Sequence, residues 1–108
     1  MPFDPAYRED VPSREDIDQT RGLLLLEFGA SWCGHCQSLA PTLQALLSQR
    51  PQVQHLRIAD GRGKRLGRSF RVKLWPTLVF LRDGKVIAEL VRPTADEVRQ
   101  TLGEFAAS

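Results

Sequence analysis

The sequence has little cysteine, few aromatic residues and no long apolar run. It contains two cysteines and no second C-x-x-C pair, so the four protein ligands of a structural zinc site are lacking. Its longest apolar run, Leu23 to Leu26, is far below the roughly 18 residues that a membrane helix needs. No aromatic residues are interleaved with its basic residues, as they are on surfaces that stack nucleic-acid bases. We therefore expect no metal, no membrane and no nucleic acid among its ligands.

Length and composition predict one compact domain. The chain has 108 residues, of which 42% are hydrophobic and 26% are charged, close to average usage in soluble proteins. Its start is acidic and proline-rich and lacks the basic region followed by an apolar one that defines a signal peptide. We expect a cytoplasmic protein, although a periplasmic or secreted protein whose signal peptide has been removed would have the same sequence.

The formal net charge of +2 is unevenly distributed. Residues 1–18 carry six acidic and two basic side chains, whereas residues 19–108 carry seven acidic and 13 basic ones. Such asymmetry can attract an acidic partner protein or nucleic acid, but a solvated helix face explains it more simply, and we favour that interpretation. The densest basic stretch consists of Arg62, Lys64, Arg65, Arg68, Arg71 and Lys73.

Turn and capping residues divide the first half of the chain into elements. Prolines at positions 2, 5 and 12 predict a loosely ordered arm over residues 1–12, which leaves residues 13–108 as one domain. Ser13 and Asp16 predict a short helix, and residues 22–28 predict a strand buried on both faces. Apolar residues at helical spacing predict a helix over residues 33–49, with Cys36, Ala40, Leu43 and Leu47 inward and Pro41 inside it.

The second half of the chain contains a clear hairpin. Residues 53–59 predict a strand and residues 64–70 a short helix. Asp83 and Gly84 then join two apolar strands, and this pair is typical of a two-residue turn. Thr94 and Glu97 have the spacing of a capping box for a last helix. The order predicts an α/β fold with a central mixed sheet and helices on both faces.

Both cysteines fall where the first strand gives way to a helix. Unpaired N–H groups and the positive end of the helix dipole favour a thiolate at Cys33. Cys36 lies one turn deeper on the apolar side, so the spacing predicts an outer nucleophile and an inner sulfur that can form a disulfide with it. Two inert buried cysteines or a zinc site are the alternatives. His55 is interpreted as an ordinary strand residue.

The segment FGASWCGHCQSLAPTL resembles the active-site segment of the thioredoxin superfamily, and LWPTLVFLRDGKVI resembles that superfamily's cis-proline strand and hairpin. The resemblance covers about residues 13–106 and implies the thioredoxin fold. It implies that Cys33 attacks a partner disulfide, that Cys36 resolves the mixed disulfide, and that the Trp75–Pro76 bond is cis. No cofactor is then needed beyond a redox-active disulfide between Cys33 and Cys36.

The resemblance also implies roles for neighbouring residues. Glu27 stands where the family has a buried acid, and burial should raise its pKa and suit it to take the proton of Cys36. The lysine that often accompanies this acid has no clear match, and Arg57 is nearby in sequence only. Trp32, just ahead of Cys33, resembles the tryptophan that forms the substrate-facing rim of the site in this family. Gly34, His35, Trp75, Pro76, Thr77 and Arg92 complete the predicted site.

Three positions depart from the family pattern and bear on substrate choice. The second aromatic residue, usual three positions before Trp32, is Gly29 here. The glycine usual after the last strand is Arg92, which adds bulk and charge to the substrate groove. Trp75 is larger than the aliphatic residue usual before the proline.

These observations predict a protein-disulfide oxidoreductase whose clients are proteins with disulfides or thiols. We expect a monomer that reduces its clients and is recharged by a reductase or a small thiol, in the service of cell redox homeostasis. The C-G-H-C sequence is the pairing seen in protein disulfide isomerases, so oxidase or isomerase work at a more oxidising potential is the first alternative. A binding or assembly module that uses the fold without turnover is the second.

The first testable prediction concerns His35. An imidazole between the cysteines stabilises the reduced pair and so raises the reduction potential. Thioredoxin and protein disulfide isomerase differ by about 90 mV, and we expect His35→Pro to lower the potential by part of that gap. The measurement is the equilibrium potential in a glutathione buffer. An unchanged or higher potential in the variant would remove this role of His35.

Overall fold

A computed structural model describes residues 6–107 of the chain. Residues 1–5 of the predicted arm and Ser108 lie outside the described residues. Four helices and four strands follow one another in the predicted order. They are α1 (Arg14–Asp18), β1 (Leu23–Gly29), α2 (Gly34–Ser48), β2 (Val53–Ala59), α3 (Arg65–Ser69), β3 (Thr77–Arg82), β4 (Lys85–Val91) and α4 (Ala95–Ala107).

The strands form one mixed sheet in the order β2-β1-β3-β4. Strand β1 pairs with β2 in parallel and with β3 antiparallel, and β3 pairs with β4 antiparallel. Central strand β1 is buried almost throughout, as its continuous apolar sequence predicts. In this register Glu27 of β1 lies beside Arg57 of β2.

Helices cover both faces of the sheet, as predicted. One core contains Leu43 and Leu47 of α2 together with Leu102 and Phe105 of α4, packed on one side of β1 and β3. The other core places Ile17 of α1 and Leu66 of α3 on the opposite side. The buried stripe of α2 uses Leu39, whereas Ala40 is only half-buried. The expectation for Ala40 is therefore wrong by one position, because the stripe follows a spacing of three and then four.

Local capping chemistry sets the ends of the helices and the hairpin. Ser13 accepts the amide of Asp16 while the Asp16 carboxylate accepts the amide of Ser13. Asp83 and Gly84 have φ angles of 50° and 81°, which confirms the two-residue turn. A β-carbon on Gly84 would lie 1.8 Å from the carbonyl oxygen of Asp18. Only glycine therefore lets the turn pack against the end of α1.

The part of the arm that the structure describes runs beside the free edge of β2. The amide of Arg8 donates to the carbonyl of Arg57 (2.9 Å), and the amide of Ala59 donates to the carbonyl of Arg8 (3.0 Å). These bonds form an isolated parallel bridge between Arg8 and Ile58. They fix the direction in which the preceding side chain, Tyr7, enters the molecule. The division into an arm and a domain at residue 12 stays a prediction.

Candidate active site

The two cysteines lie at the beginning of α2. Cys33 is the N-cap residue, and its Sγ accepts a hydrogen bond from the backbone N–H of Cys36 at 3.3 Å. Both thiols are free. Cys33 is 7% exposed and Cys36 is fully buried, so the expected contrast in access is present but small. Gly34 and His35 begin the first turn and are exposed.

Residues from three other parts of the chain pack around the cysteine pair. Ala30 lies in the same small apolar cluster as both sulfurs, and Tyr7 and Trp75 pack against it. Trp32 is 74% exposed and meets Trp75 edge-on, with ring centroids 5.4 Å apart and ring planes at 72°. Trp75 therefore connects the exposed rim to the buried sulfurs.

The environment of Cys36 opposes its ionisation. Burial and a hydrogen bond with Cys33 raise its pKa to about 11, while hydrogen bonds with the backbone of Ala30 and the hydroxyl of Tyr7 act in the opposite direction. The cost of burying a charged thiolate away from water outweighs these two hydrogen bonds. Cys36 is thus a thiol that needs help to lose its proton.

Glu27 lies on β1 with its side chain completely buried and fully partnered. Its Oε1 lies 3.0 Å from Nε2 of His55 and accepts a bond from Nε of Arg57 at 3.1 Å. Its Oε2 accepts bonds from Nη2 of Arg57 at 3.2 Å and from the hydroxyl of Tyr7 at 2.9 Å. We call these four side chains the Glu27 cluster.

The expectation that Glu27 has a raised pKa is wrong, because the pKa is lowered overall. Burial alone would raise this pKa, but the hydrogen bond with His55, the charge of Arg57, the charge of His55 and the hydrogen bond from Tyr7 together lower it. Donors aimed at a carboxylate stabilise its charged form. Glu27 is therefore an ionised carboxylate in the core rather than a neutral acid.

The interpretation of His55 as an ordinary strand residue is also wrong, because His55 contacts the Glu27 carboxylate. Arg57, which the sequence left unplaced, contacts the same carboxylate. Both side chains are buried and, two positions apart on β2, point to the same face of the sheet. The register that pairs Glu27 with Arg57 brings them to the carboxylate. Their alternation on a buried strand is the signal that sequence reasoning overlooked. The sequence around Tyr7 shows no comparable pattern.

The predicted substrate-binding residues meet around Pro76. The peptide bond between Trp75 and Pro76 is cis. Thr77 is buried, and its hydroxyl donates to the carbonyl of Leu74 at 2.6 Å. The indole N–H of Trp75 donates to Asp60 Oδ2 at 2.9 Å, a contact that the sequence did not predict.

Arg92 closes over the same segment in a left-handed conformation. Its φ angle is 47°, in the region where the family tends to have glycine. Its amide donates to the carbonyl of Pro76 and its Nε to the carbonyl of Trp75, both at 2.8 Å. These bonds offset the cost of about 1–2 kcal/mol that a side chain incurs at such a φ.

A cavity of about 170 Å³ lies between α2 and the segment after β4. His35 and Arg92 are its lining residues that can carry positive charge, and among residues 6–107 no carboxylate lines it. The other lining residues are Ser38, Leu39, Thr42, Pro76, Pro93 and Ala95. The cavity therefore joins the C-G-H-C turn to the cis proline.

Most of the basic stretch contributes to the surface rather than to this site. Arg62, Arg65, Arg68, Arg71 and Lys73 are exposed, as expected for a solvated face, and Lys64 forms an ion pair with Glu9. Within residues 6–107 no group of three His, Cys, Asp or Glu side chains could hold a metal ion. None of the helices described there is long and apolar enough to cross a membrane.

The Glu27 cluster generates a prediction about stability. Glu27→Gln leaves the buried Arg57 without a counter-charge, which costs about 3 kcal/mol of unfolding free energy in urea. Because the pKa of Glu27 is lowered from its ordinary value of 4.5 on folding, its stabilising effect is present above that pH and is lost as the pH falls through the lower folded value. The difference between wild type and variant should therefore shrink in acid.

Glu89→Gln is the matched control, since Glu89 is an exposed carboxylate on β4. Its cost should stay within about 0.5 kcal/mol. Equal effects of the two substitutions, or a Glu27→Gln penalty that does not change in acid, would contradict the assigned charge state.

Comparison with known proteins places this site in a family. A family model described as Thioredoxin matches residues 8–104. The chain is 33% identical over 103 residues to a thioredoxin H-type of Ricinus communis, covering 95% of this chain and 85% of that protein. It is 39% identical over 70 residues to a thioredoxin of Chlamydia muridarum, covering 65% and 69% of the two chains.

A solved structure agrees over nearly the whole length. The reduced form of thioredoxin 2 from Pseudomonas aeruginosa PAO1 has 47% sequence identity and a TM-score of 0.84, and the match covers 94% of each chain. With a Cys33-x-x-Cys36 pair at the N-terminus of α2 and the matching fold around it, the chain belongs to the thioredoxin family of thiol-disulfide oxidoreductases, which need no cofactor and generally reduce disulfides in client proteins.

Proposed function

We propose that the protein reduces disulfides of client proteins, with Cys33 as the nucleophile and Cys36 as the resolving cysteine. The observation that carries these roles is the geometry of α2. Cys33 at the N-cap already accepts an amide hydrogen bond through its sulfur, the interaction that favours a thiolate there. Cys36 is one turn away, fully buried and protonated, and thus suited to act second.

The reaction consists of two exchanges. The Cys33 thiolate attacks one client sulfur, an S–S bond forms between them, and the other client sulfur leaves with the electron pair and takes a proton from water. Cys36 then loses its proton and attacks Cys33 Sγ, which forms the Cys33–Cys36 disulfide and releases the second client sulfur. Two electrons have passed to the client. A reductase or small thiol must return them.

The groove for the client is formed by Trp32, Trp75, Pro76, Thr77 and Arg92 in this proposal. Two features support it. Trp32 exposes a large aromatic surface beside the sulfurs, and the cavity between His35 and Pro76 lies beside the same turn. An extended client segment can pair with backbone near Pro76 as an added strand, while Arg92 stands at the edge of that backbone.

Placement in the cytoplasm, a monomeric state and the absence of nucleic-acid partners stay predictions. A reducing compartment supports a reductase because it keeps the returned thiols reduced. Cell fractionation and analytical ultracentrifugation test the first two. Retention on a nucleic-acid column at about 0.15 M salt would contradict the third.

Trapping tests the proposed roles. Cys36→Ser removes the sulfur that resolves the intermediate, so mixed disulfides between Cys33 and clients should accumulate and appear on non-reducing gels. Cys33→Ser is the control and should trap nothing. Wild type should accelerate the reduction of insulin by dithiothreitol, and both variants should lose this acceleration. Wild type without acceleration, or Cys36→Ser without trapped clients, would favour a non-catalytic module.

The charge of Arg92 generates a prediction about client choice. His35 and Arg92 line the cavity, and no acid of the described part of the chain does. Peptides with an acidic residue next to the disulfide should therefore be preferred to basic ones. Arg92→Gln should lower that preference in kcat/KM by about two- to fivefold, the size of an exposed charge pair. Arg92→Lys keeps the charge at the same strained φ and should retain most of the preference. If both variants lost the preference for acidic peptides equally, the shape of the Arg92 side chain rather than its charge would explain the preference.

A further inference from the structure

Tyr7 occupies the space that Gly29 leaves beside Cys36. The family pattern has an aromatic residue at the position of Gly29, three residues before Trp32. A β-carbon on Gly29 would lie 2.6 Å from Cys36 Sγ and 3.0 Å from the hydroxyl oxygen of Tyr7. Because Gly29 has no side chain, Tyr7 of the N-terminal arm can approach the resolving cysteine.

The Tyr7 hydroxyl is held in one orientation by the Glu27 cluster. It donates to Glu27 Oε2 at 2.9 Å and accepts from Nη2 of Arg57 at 2.7 Å. The Arg57 guanidinium also stacks on the Tyr7 ring, with its carbon 3.9 Å from the ring centroid. The backbone bridge at Arg8 fixes the residue from the other side. The phenol is therefore ordered before any client binds.

The same hydroxyl lies beside the Cys36 sulfur. Tyr7 packs against the cluster that contains Cys36, and Cys36 Sγ and the Tyr7 oxygen are the two atoms nearest to the β-carbon position of Gly29. A phenolic oxygen has one proton to donate and two lone pairs to accept with. Arg57 uses one lone pair and the donated proton points to Glu27, so the second lone pair can accept from the Cys36 S–H. Sulfur, phenol oxygen and carboxylate therefore lie next to one another in that order.

We propose that Tyr7 is a catalytic residue that passes the proton of Cys36 to Glu27 during resolution of the mixed disulfide. As the Cys36 S–H bond breaks, its proton goes to the Tyr7 oxygen and the Tyr7 O–H proton goes to Glu27 Oε2. The Cys36 thiolate then attacks Cys33 Sγ and the client sulfur leaves with the electron pair. The inference rests on the proposed function, since it supplies a step of that exchange.

The proton does not stay on Glu27. The lowered pKa of this carboxylate favours its release to water after the exchange, while Tyr7 has a raised pKa and returns to its neutral form. Because the route depends on protonation, every charged neighbour bears on it. The titratable and charged groups around the Cys36 sulfur are Cys33 on α2, Tyr7 from the arm, Glu27 from β1 and, behind Glu27, His55 and Arg57 from β2.

Tyr7→Phe is the direct test, because it deletes the hydroxyl and keeps the ring that stacks on Arg57. Reduced protein is mixed with dithionitrobenzoate by stopped flow. Release of the first thionitrobenzoate reports attack by Cys33, and release of the second reports resolution by Cys36. We expect Tyr7→Phe to slow the second phase about tenfold or more at pH 7, to leave the first phase within about twofold, and to shift the pH midpoint of the second phase upwards.

As the pH rises towards the raised pKa of Cys36, hydroxide increasingly removes the proton, and the second-phase rates of the two proteins should converge. A structural defect would instead slow both phases at every pH. Glu9→Gln is the control, because it breaks the exposed ion pair of the arm with Lys64 and leaves the site intact. Urea unfolding of each variant verifies that the fold is retained.

The outcomes separate the two levels of the proposal. A second phase with the same rate and pH midpoint in wild type and Tyr7→Phe would overturn the role of Tyr7 and leave the dithiol reaction in place. The proposed function itself would be overturned if wild type showed no second phase, or showed one that persists in Cys36→Ser.

Discussion

Glu27 carries a carboxylate in the middle of an otherwise apolar, central strand, and much of the site follows from the need to satisfy it. An ionised group at this depth is tolerated only with a counter-charge and with hydrogen bonds to both oxygens. Arg57 supplies the charge, and His55 and Tyr7 supply further bonds. The requirement ties β1 to β2 and draws the arm against the sheet. The floor beneath the cysteines is therefore polar, ordered and buried.

The cysteine pair shows a similar division of tasks between local and distant structure. The N-terminus of α2 makes the two sulfurs unlike through backbone geometry alone, since Cys33 caps the helix and Cys36 lies inside it. Packing by Trp75 and Tyr7 then limits access to both. Chemistry at the outer sulfur depends on the helix, whereas chemistry at the inner sulfur depends on what the rest of the fold brings to it.

Local sequence predicted most of the fold because its signals act over a few residues. The Asp83-Gly84 turn, the two capping boxes and the apolar run of β1 each have one favourable local solution, and all are found. The surroundings of Glu27 could not be predicted in the same way. Its charge state depends on Arg57 and His55, which only the strand register brings near it. The sequence position of Glu27 indicates an acid in the core but not the hydrogen-bond donors around it.

The bridge between Arg8 and Ile58 affects how the chain can be divided. The family match begins at residue 8, one residue after the tyrosine whose hydroxyl reaches the Glu27 carboxylate. A boundary drawn from family similarity alone would cut between Tyr7 and Arg8. The trimmed chain would keep its sheet, helices and C-G-H-C turn, yet open the buried carboxylate to solvent from one side. A segment outside the family match can therefore belong to the packing beneath the cysteines.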